Sequence, residues 1–323
     1  MILITGGAGY IGSHTHKLLA SQGRHCRIFD NFSTGHKDFV KWGELVEGDL
    51  LNPADLNRAF VGGQIEAVIH FAAKAYVGES MENPAKYYQN NVTGTLNLLT
   101  AMQAHGVDKI LFSSTCAVYG VPNQVPITES EVPRPINVYG RTKRMIEQIL
   151  EDYSDAYRLK YTALRYFNAA GADLDLEIGE RHQPETHAIP LAIEAAMGLR
   201  PSFTIFGQDY PTPDGTCIRD YIHVADLARA HQLALDRLLA GGDSLKVNLG
   251  CNQGLSVLEL VQQVKELSGR DFKVVQGQRR PGDPAELCAD NQMASQELGW
   301  KPQFEDPRSI IKSAWDWHQK ENH

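Results

Sequence analysis

Tyr139 and Lys143 stand four residues apart at the start of a long helical pattern. One helical turn separates such a pair, so both side chains lie on one face. An ammonium beside a phenol favours the phenolate, which can turn an inert tyrosine into a base near neutral pH. An unperturbed phenol titrates near pH ~10, so a shift of roughly three units requires about 4 kcal/mol of differential stabilisation. Phe112-Ser113-Ser114-Thr115 ends an apolar run, where open α/β sheets place their ligands. A hydroxyl there can share a proton with Tyr139 and a substrate oxygen, although a strand-end Thr equally caps its own backbone.

A second constellation lies at the start of the chain. Thr5-Gly6-Gly7-Ala8-Gly9-Tyr10-Ile11-Gly12 follows the first apolar run and opens a helical pattern. Glycines at 6, 9 and 12 suit a strained turn, close backbone approach to a pyrophosphate and tight helix–strand packing, in that order. The helix start then offers free amides and a positive dipole end to an anion. Asp30 ends the second apolar run, 18 residues after Gly12. A carboxylate there can accept both ribose hydroxyls and repels a 2′-phosphate, which favours NAD over NADP. The competing reading of Asp30-Asn31 is a strand-ending turn. Asp49 can accept from an adenine amino group or cap the helix that starts near Asn52-Pro53.

Short apolar runs at Met1–Thr5, Cys26–Asp30, Leu45–Glu47, Ala67–Phe71, Ile110–Ser113 and Thr162–Phe167 alternate with helical patterns. The latter fall near Gly12–Gln22, Ala54–Phe60, Pro84–Ala104 and Tyr139–Tyr157. This rhythm predicts right-handed crossovers and an α/β fold with a doubly wound, mostly parallel sheet. After residue 170 the rhythm breaks. A helix near His187–Leu199 and a short strand at Phe203–Phe206 predict a smaller mixed α/β lobe. Ile222–Leu239 and Lys246–Leu249 are expected to return to the main sheet as helix and strand, with further helices at Ser256–Ser268 and Ser309–Lys320. The predicted division is 1–170 plus 222–252 for the dinucleotide and 171–221 plus 253–323 for the second ligand.

Of 323 residues, 42% are hydrophobic and 22% charged, as in ordinary globular proteins, and the net charge of −8 gives no electrostatic reason to expect nucleic acid or an anionic membrane. The five cysteines (26, 116, 217, 251 and 288) are scattered without Cys/His ligand spacing, so neither a disulfide framework nor a metal site is expected. The apolar start has no basic n-region and no apolar run reaches spanning length, which predicts a cytoplasmic protein.

Taken together, the motifs resemble the extended short-chain dehydrogenase/reductase family, whose dinucleotide domain is a Rossmann fold. His70-Phe71-Ala72-Ala73, Val77-Gly78-Glu79-Ser80, Tyr87-Tyr88-Gln89-Asn90-Asn91, Arg165-Tyr166-Phe167-Asn168, Arg219-Asp220-Tyr221-Ile222-His223-Val224 and Arg280-Pro281-Gly282-Asp283 narrow the resemblance to its UDP-glucose 4-epimerase branch. The likeness extends over essentially the whole chain. It implies reversible inversion at a UDP-sugar's C4, with tightly bound NAD. Tyr139 would take the 4-hydroxyl proton, Thr115 would hydrogen-bond the reacting oxygen, and Lys143 would bind the nicotinamide ribose and hold the phenol's pKa down. Matching cofactor contacts are Gly6, Gly9, Tyr10, Ile11, Gly12, Asp30, Asn31, Asp49, Leu50, Phe71, Ala72, Ala73, Asn90, Tyr139, Lys143 and Tyr166. Matching substrate contacts are Thr115, Phe167, Asn168, Phe206, Arg219, Tyr221, Arg280, Asp283 and Leu287. Arginine suits a diphosphate because its forked donors engage two oxygens at once.

The chain departs from the family pattern at three places. Ala75 stands where many relatives carry a phosphate-side lysine, next to Lys74. His187 stands where the enteric type has an asparagine on the diphosphate. Leu287 stands where a tyrosine narrows the hexose pocket in some relatives and a cysteine or serine widens it in others, so leucine predicts some turnover of N-acetylated UDP-sugars. Competing activities are C4 epimerisation of UDP-glucuronate or a UDP-pentose. A 4,6-dehydratase is disfavoured because Cys116-Ala117, not an acidic pair, follows Thr115. A non-catalytic nucleotide-binding scaffold is the remaining alternative. The resemblance also implies a homodimer through the helices near Pro84–Ala104 and Tyr139–Tyr157.

Overall fold

Seven parallel strands form the central sheet of the computed structural model, which describes residues 1–280 and 283–322. The first six run in chain order as β1 (Ile2–Thr5), β2 (Cys26–Asp30), β3 (Glu44–Glu47), β4 (Ala67–His70), β5 (Lys109–Thr115) and β6 (Lys160–Tyr166). Next come β7 (Asn168–Ala170), β8 (Phe203–Phe206), β9 (Ile218–His223) and β10 (Leu245–Leu249), then β11 (Gly254–Ser256), β12 (Val274–Gly277) and β13 (Glu286–Leu287). The main sheet has the order β10-β6-β5-β4-β1-β2-β3. The winding direction therefore reverses between β1 and β4, where Thr5 pairs with His70. That reversal opens a crevice at the carboxyl ends of the strands, the place where such sheets bind ligands.

The helices are α1 (Tyr10–Ser21), α2 (Pro53–Phe60), α3 (Val77–Glu82), α4 (Pro84–Tyr87), α5 (Gly94–Ala104) and α6 (Val138–Tyr157), followed by α7 (Ala188–Ala196), α8 (Val224–Leu239), α9 (Val257–Ser268), α10 (Gln292–Leu298) and α11 (Pro307–Glu321). Every residue of β1, β2 and β4 is buried, as expected for strands covered on both faces. One core joins β1, β2 and β4 to α1 and α8 through Ile4, Leu19, Ile28, Leu227 and Leu235, and the other joins them to α2, α5 and α6 through Leu3, Leu56, Leu98 and Ile146. The edge strand β3 keeps Glu44 and Glu47 in solvent, which discourages further strand pairing.

The smaller lobe pairs β9 with β7, β11 and β13, sets β8 beside β12, and buries Ile193, Phe203, Val261 and Trp315 among α7, α9 and α11. Its segments interleave with the main sheet along the chain, because α8 and β10 return to the large domain as expected.

Two expectations are corrected. The helix expected over Pro84–Ala104 is interrupted by a π turn at Tyr88–Thr93, a widening that often marks functional sites. The helix expected from Ile222 starts at Val224 instead: the preceding residues extend β9, and His223 Nδ1 caps the helix by accepting from Ala225 N–H at 3.0 Å. The elements α3, α10, β7, β11, β12 and β13 carried no sequence expectation, being too short for a clear periodic pattern.

Candidate active site

The glycine loop fits the crevice because Gly6 and Gly12 leave no room for a Cβ against the neighbouring backbone. Gly6 has φ of +72°, and a Cβ there would sit 2.6 Å from Ala72 N. A Cβ on Gly12 would lie 2.3 Å from Gly6 O. The loop is thereby pressed against Phe71-Ala72 at the end of β4, with Phe71 and Ala72 N–H groups both donating to Thr5 O. Gly9 caps α1 without any side-chain hydrogen bond, so the helix start keeps its amides for an anion. Asp30 accepts from Ala8 N–H (3.0 Å) and Phe32 N–H (2.8 Å), one bond to each carboxylate oxygen. Burial pushes its carboxyl up, while those amides and nearby Lys74 oppose the rise. Each oxygen retains a lone pair for a ribose hydroxyl.

Asn31 donates to Asp49 at 2.8 Å, and Asp49 also accepts from Leu51 N–H at 2.8 Å. The helix cap considered for Asp49 belongs instead to Asn52, whose side chain accepts from Ala54 N–H at 3.1 Å. Lys74 reaches Ser33 at 2.8 Å, beside Asp30, and so supplies a positive charge near the adenosine side of the crevice. Tyr10 directs its hydroxyl away from the loop to Gly171 O at 2.6 Å, which ties α1 to the lobe. The chain thus offers a dinucleotide an uncapped helix start, a glycine cradle and an anchored carboxylate, and these features fit NAD.

The residues expected to transfer the proton sit at the other side of the same crevice. Thr115 ends β5 and accepts from Ala117 N–H at 3.1 Å. Tyr139 occupies the first turn of α6, which Asn137 caps by accepting from Gly140 N–H at 2.8 Å. Ser80 accepts from Tyr139 N–H at 3.2 Å, so the Val77–Ser80 motif helps fix the start of α6. Lys143 is buried, donates to Ser113 O at 2.6 Å and lies 5.9 Å from the Tyr139 ring. Tyr166 hydrogen-bonds Ser113 Oγ, and burial holds its phenol up to about 12.

The charges do not follow the simple expectation. Lys143 was expected to hold the tyrosine down. Among the protein's own groups burial dominates and pushes the Tyr139 phenol well up, Tyr166 adds to the rise, and the Thr115 hydroxyl opposes it. Burial also lowers the Lys143 amine to about 7, against the pull of Glu147. Among the protein's own groups, the charged form of each member of the pair is therefore disfavoured.

Several residues that hold this geometry were missed from sequence. Glu147, one turn beyond Lys143, accepts from Arg165 through two bonds (2.8 and 2.7 Å) and from Ser114 at 2.7 Å. Asn91, placed by the π turn, accepts from Lys74 N–H at 2.8 Å and donates to Lys74 O at 3.0 Å and to Thr142 at 3.1 Å. Neighbouring Asn90 donates to Asn91 at 2.9 Å. The Tyr87–Asn91 motif carried the signal for Asn91. Nothing local flagged Glu147, whose partners Ser114 and Arg165 are on β5 and β6.

The lobe supplies the remaining wall. Arg219 on β9 pairs with Asp283 and donates to Ile218 O at 2.8 Å. The Arg280 guanidinium stacks 4.1 Å over Phe206, which leaves a flat cation at the end of β8. Pro281 and Gly282 of this motif lie outside the described residues. Asn168 donates to Asp220 O at 3.0 Å, and Tyr221 is buried one residue further along β9. Leu287 pairs opposite Arg219 and packs in a cluster with Cys116 and Phe167, immediately beside Thr115. His187 begins α7 but turns its ring to Glu180 and Glu185.

This combination defines a dinucleotide-dependent enzyme of the Tyr-x-x-x-Lys type with an arginine-bearing ligand lobe. The model of the NAD dependent epimerase/dehydratase family matches residues 2–250, and the chain belongs to that family. It is an epimerase, an isomerase: the UDP-glucose 4-epimerase of Rhizobium leguminosarum bv. trifolii is 54% identical over 321 residues, covering 99% of this chain and 98% of the relative. The crystal structure of UDP-glucose 4-epimerase from Brucella ovis, in complex with NAD, is 53% identical with a TM-score of 0.95 over 98% of this chain and 97% of that one. The UDP-Glc/GlcNAc 4-epimerase from Campylobacter jejuni is 42% identical with a TM-score of 0.86 over 99% of both chains. Among the described residues no helix is long and apolar enough to cross a membrane.

Proposed function

We propose that the protein interconverts UDP-glucose and UDP-galactose, in galactose metabolism, by inverting C4 through a transient 4-keto sugar while NAD stays bound. The observation that carries this reading is the grouping of buried Thr115 and Lys143 with half-buried Tyr139 at the same crevice as the glycine cradle and Asp30. Bound NAD supplies a hydride acceptor and donor at the sugar's C4. Tyr139 Oη takes the 4-hydroxyl proton and later returns it. Thr115 steadies the same oxygen on both faces of the sugar, and Lys143 supplies the compensating charge. Arg219 and Arg280 suit the diphosphate, and Asp283 suits the uridine ribose hydroxyls. In this division of labour, residues 1–170 plus 222–252 hold NAD and residues 171–221 plus 253–323 hold the UDP-sugar.

The test is made on purified protein without added nicotinamide nucleotide. Denaturation is expected to release about one NAD per chain, and the native protein is expected to convert UDP-galactose to UDP-glucose. Neither nucleotide release nor conversion would leave the reading without support.

Leu287 extends the reading to substrate breadth. Its place beside Cys116 and Phe167 supports a hexose pocket of intermediate width, with some turnover of UDP-GlcNAc to UDP-GalNAc. Saturating UDP-GlcNAc that yields no UDP-GalNAc above background defeats this extension. Partly exposed Leu96 on α5 and Met145 on α6 support a homodimer through those helices. The chain is assigned to the cytoplasm.

A further inference from the structure

Away from the proton-transfer residues, the loop that leads into α7 gathers four metal-ligating side chains within eight residues: Glu180, His182, Glu185 and His187. Their ligand atoms all lie within 4.8 Å of one another. His187 Nδ1 is 2.6 Å from Glu180 Oε1 and 3.3 Å from Glu185 Oε1. His182 Nδ1 is 3.2 Å from Glu180 Oε1 and 3.6 Å from Glu185 Oε2. In a tetrahedral zinc site, Zn–N and Zn–O bonds near ~2.1 Å place the ligand atoms about 3.4 Å apart. Three of the four separations fall close to that edge, and the shortest is a contact that a shared ion would open slightly.

The orientation of the groups distinguishes coordination from hydrogen bonding. Glu180 is nearly enclosed, with its side chain 4% exposed, yet Oε1 has no hydrogen-bond partner. The Nδ1 atom of His182 is likewise buried without one. The imidazole nitrogens and carboxylate oxygens are at contact range without the alignment that N–H···O bonds need. Buried polar atoms left unaligned in this way are costly unless something else satisfies them. A cation seated between the four would receive a lone pair from each. Two neutral imidazoles and two carboxylates around a divalent ion also leave no net charge in the buried site.

We propose that Glu180, His182, Glu185 and His187 bind one divalent cation of the zinc type in a closed N2O2 set. Four protein ligands leave no open coordination position, so the ion is structural and takes no part in the proton transfer. Its place says what it fixes. His187 begins α7, the Tyr10 ring that follows the glycine loop meets His182 edge-on at 6.2 Å, and Tyr76 meets the same histidine at 6.2 Å. The ion would pin the lobe's entry loop against the dinucleotide-binding segment. The competing arrangement is a metal-free double ion pair, in which the two carboxylates keep both imidazoles protonated up to about 9 and about 10.

The inference does not depend on the substrate assigned above, because its readout is metal content. Purified full-length protein, stripped with a chelator and desalted, is titrated with Zn²⁺ and, in parallel, with Co²⁺. The expected result is uptake of about one ion per chain, the visible ligand-field bands of four-coordinate Co²⁺, and an unfolding midpoint raised by several degrees. His187→Gln, at the half-exposed edge of the cluster, is expected to lower Zn²⁺ affinity at least about tenfold, a loss that removal of even a supporting group can cause. Should His187→Gln fail to fold, Glu185→Gln serves for the same comparison. A stripped wild-type protein that takes up neither ion overturns the proposal in favour of the double ion pair. Uptake unchanged by both substitutions also overturns it, since the ion then sits elsewhere.

Discussion

The wall of the site carried by the main sheet and the wall carried by the lobe satisfy their charges differently. Beneath Lys143, Glu147 is fully buried and receives a bidentate Arg165, Ser114 and the more exposed Arg144, with Arg165 also donating to the Tyr119 hydroxyl at 2.9 Å. In the lobe, Arg219 is buried but its partner Asp283 is part-exposed, and Arg280 is exposed with an aromatic face for a neighbour. The first wall is closed and internally satisfied. The second holds donors and acceptors that a ligand can still recruit. On the proposed mechanism a proton moves at a fixed distance in the first wall, so rigidity is useful there. On the proposed function a UDP-sugar, with its diphosphate, one ribose and one hexose, must enter and leave the second, so its charges are kept available. Substitutions in the sheet wall should therefore act on turnover or stability, and those in the lobe on affinity and selectivity.

The largest effect is expected at Tyr139. Tyr139→Phe removes the proton acceptor but keeps the ring, so kcat should fall by roughly 10³-fold, within the range of general acid–base contributions, with little change in KM. Thr115→Val should lower kcat by less, because Tyr139 remains. Steady-state kinetics of UDP-galactose conversion check both. A KM effect exceeding the kcat effect in Tyr139→Phe would break the distinction between the walls.

Next in size is the support beneath the helix. Arg165→Met leaves Glu147 buried without its bidentate partner and should cost about 3–5 kcal/mol of stability, as breaking buried pairs generally does. The double variant Arg165→Met/Glu147→Met should recover much of that loss, because no unpaired charge remains. Urea unfolding of the single and double variants measures the coupling. Additive losses would show that the pair is not a unit.

Lys143 gives a pH-dependent test of the same wall. Its folded-state pKa is depressed to about 7 from an ordinary value of about 10.5. Between those values the unfolded chain binds the extra proton, so this group makes stability rise with pH, by up to about 1.4 kcal/mol per unit. The gain is complete above about pH 10.5 and is lost progressively as pH falls from there to about 7. Unfolding of nucleotide-free wild type and Lys143→Met, compared at pH 7 and 9, should show wild type gaining on the variant as pH rises. A difference independent of pH would mean that the amine keeps its charge in the folded protein.

The two walls also differ in how well the sequence foretold them. Gly6, Gly9, Gly12, Asp30, Thr115, Tyr139 and Lys143 lie at strand ends and helix starts, so local pattern and a parallel-sheet rule suffice to bring them to one crevice. Arg219, Leu287 and Asp283 meet only because the two-residue strand β13 pairs with β9, across more than sixty residues of chain, and no periodicity announces so short an element. Glu147 was illegible for a related reason. On α6 it reads as one more helix acid, and only the β5–β6 pairing brings Ser114 and Arg165 to it. The Glu180–His187 loop carries no cysteine spacing to mark it, because its potential ligands are carboxylates and imidazoles.

The smallest and most selective change is expected at Leu287. It is packed against Phe167 and Cys116, so Leu287→Cys removes volume from a wall that borders Thr115 without touching a charge. Hydrophobic-pocket changes of about one or two methylenes are worth roughly 1–3 kcal/mol of discrimination. The ratio of kcat/KM for UDP-GlcNAc over UDP-glucose should therefore rise about tenfold in Leu287→Cys and fall by a similar factor in Leu287→Tyr. Activity on UDP-glucose should change far less than in Tyr139→Phe, because the proton path through Thr115 and Tyr139 is intact. If both variants lose UDP-glucose turnover together with no change in the ratio, Leu287 acts by supporting β13 and Arg219 rather than by lining the hexose, and the lobe wall would prove as rigidly coupled to turnover as the sheet wall.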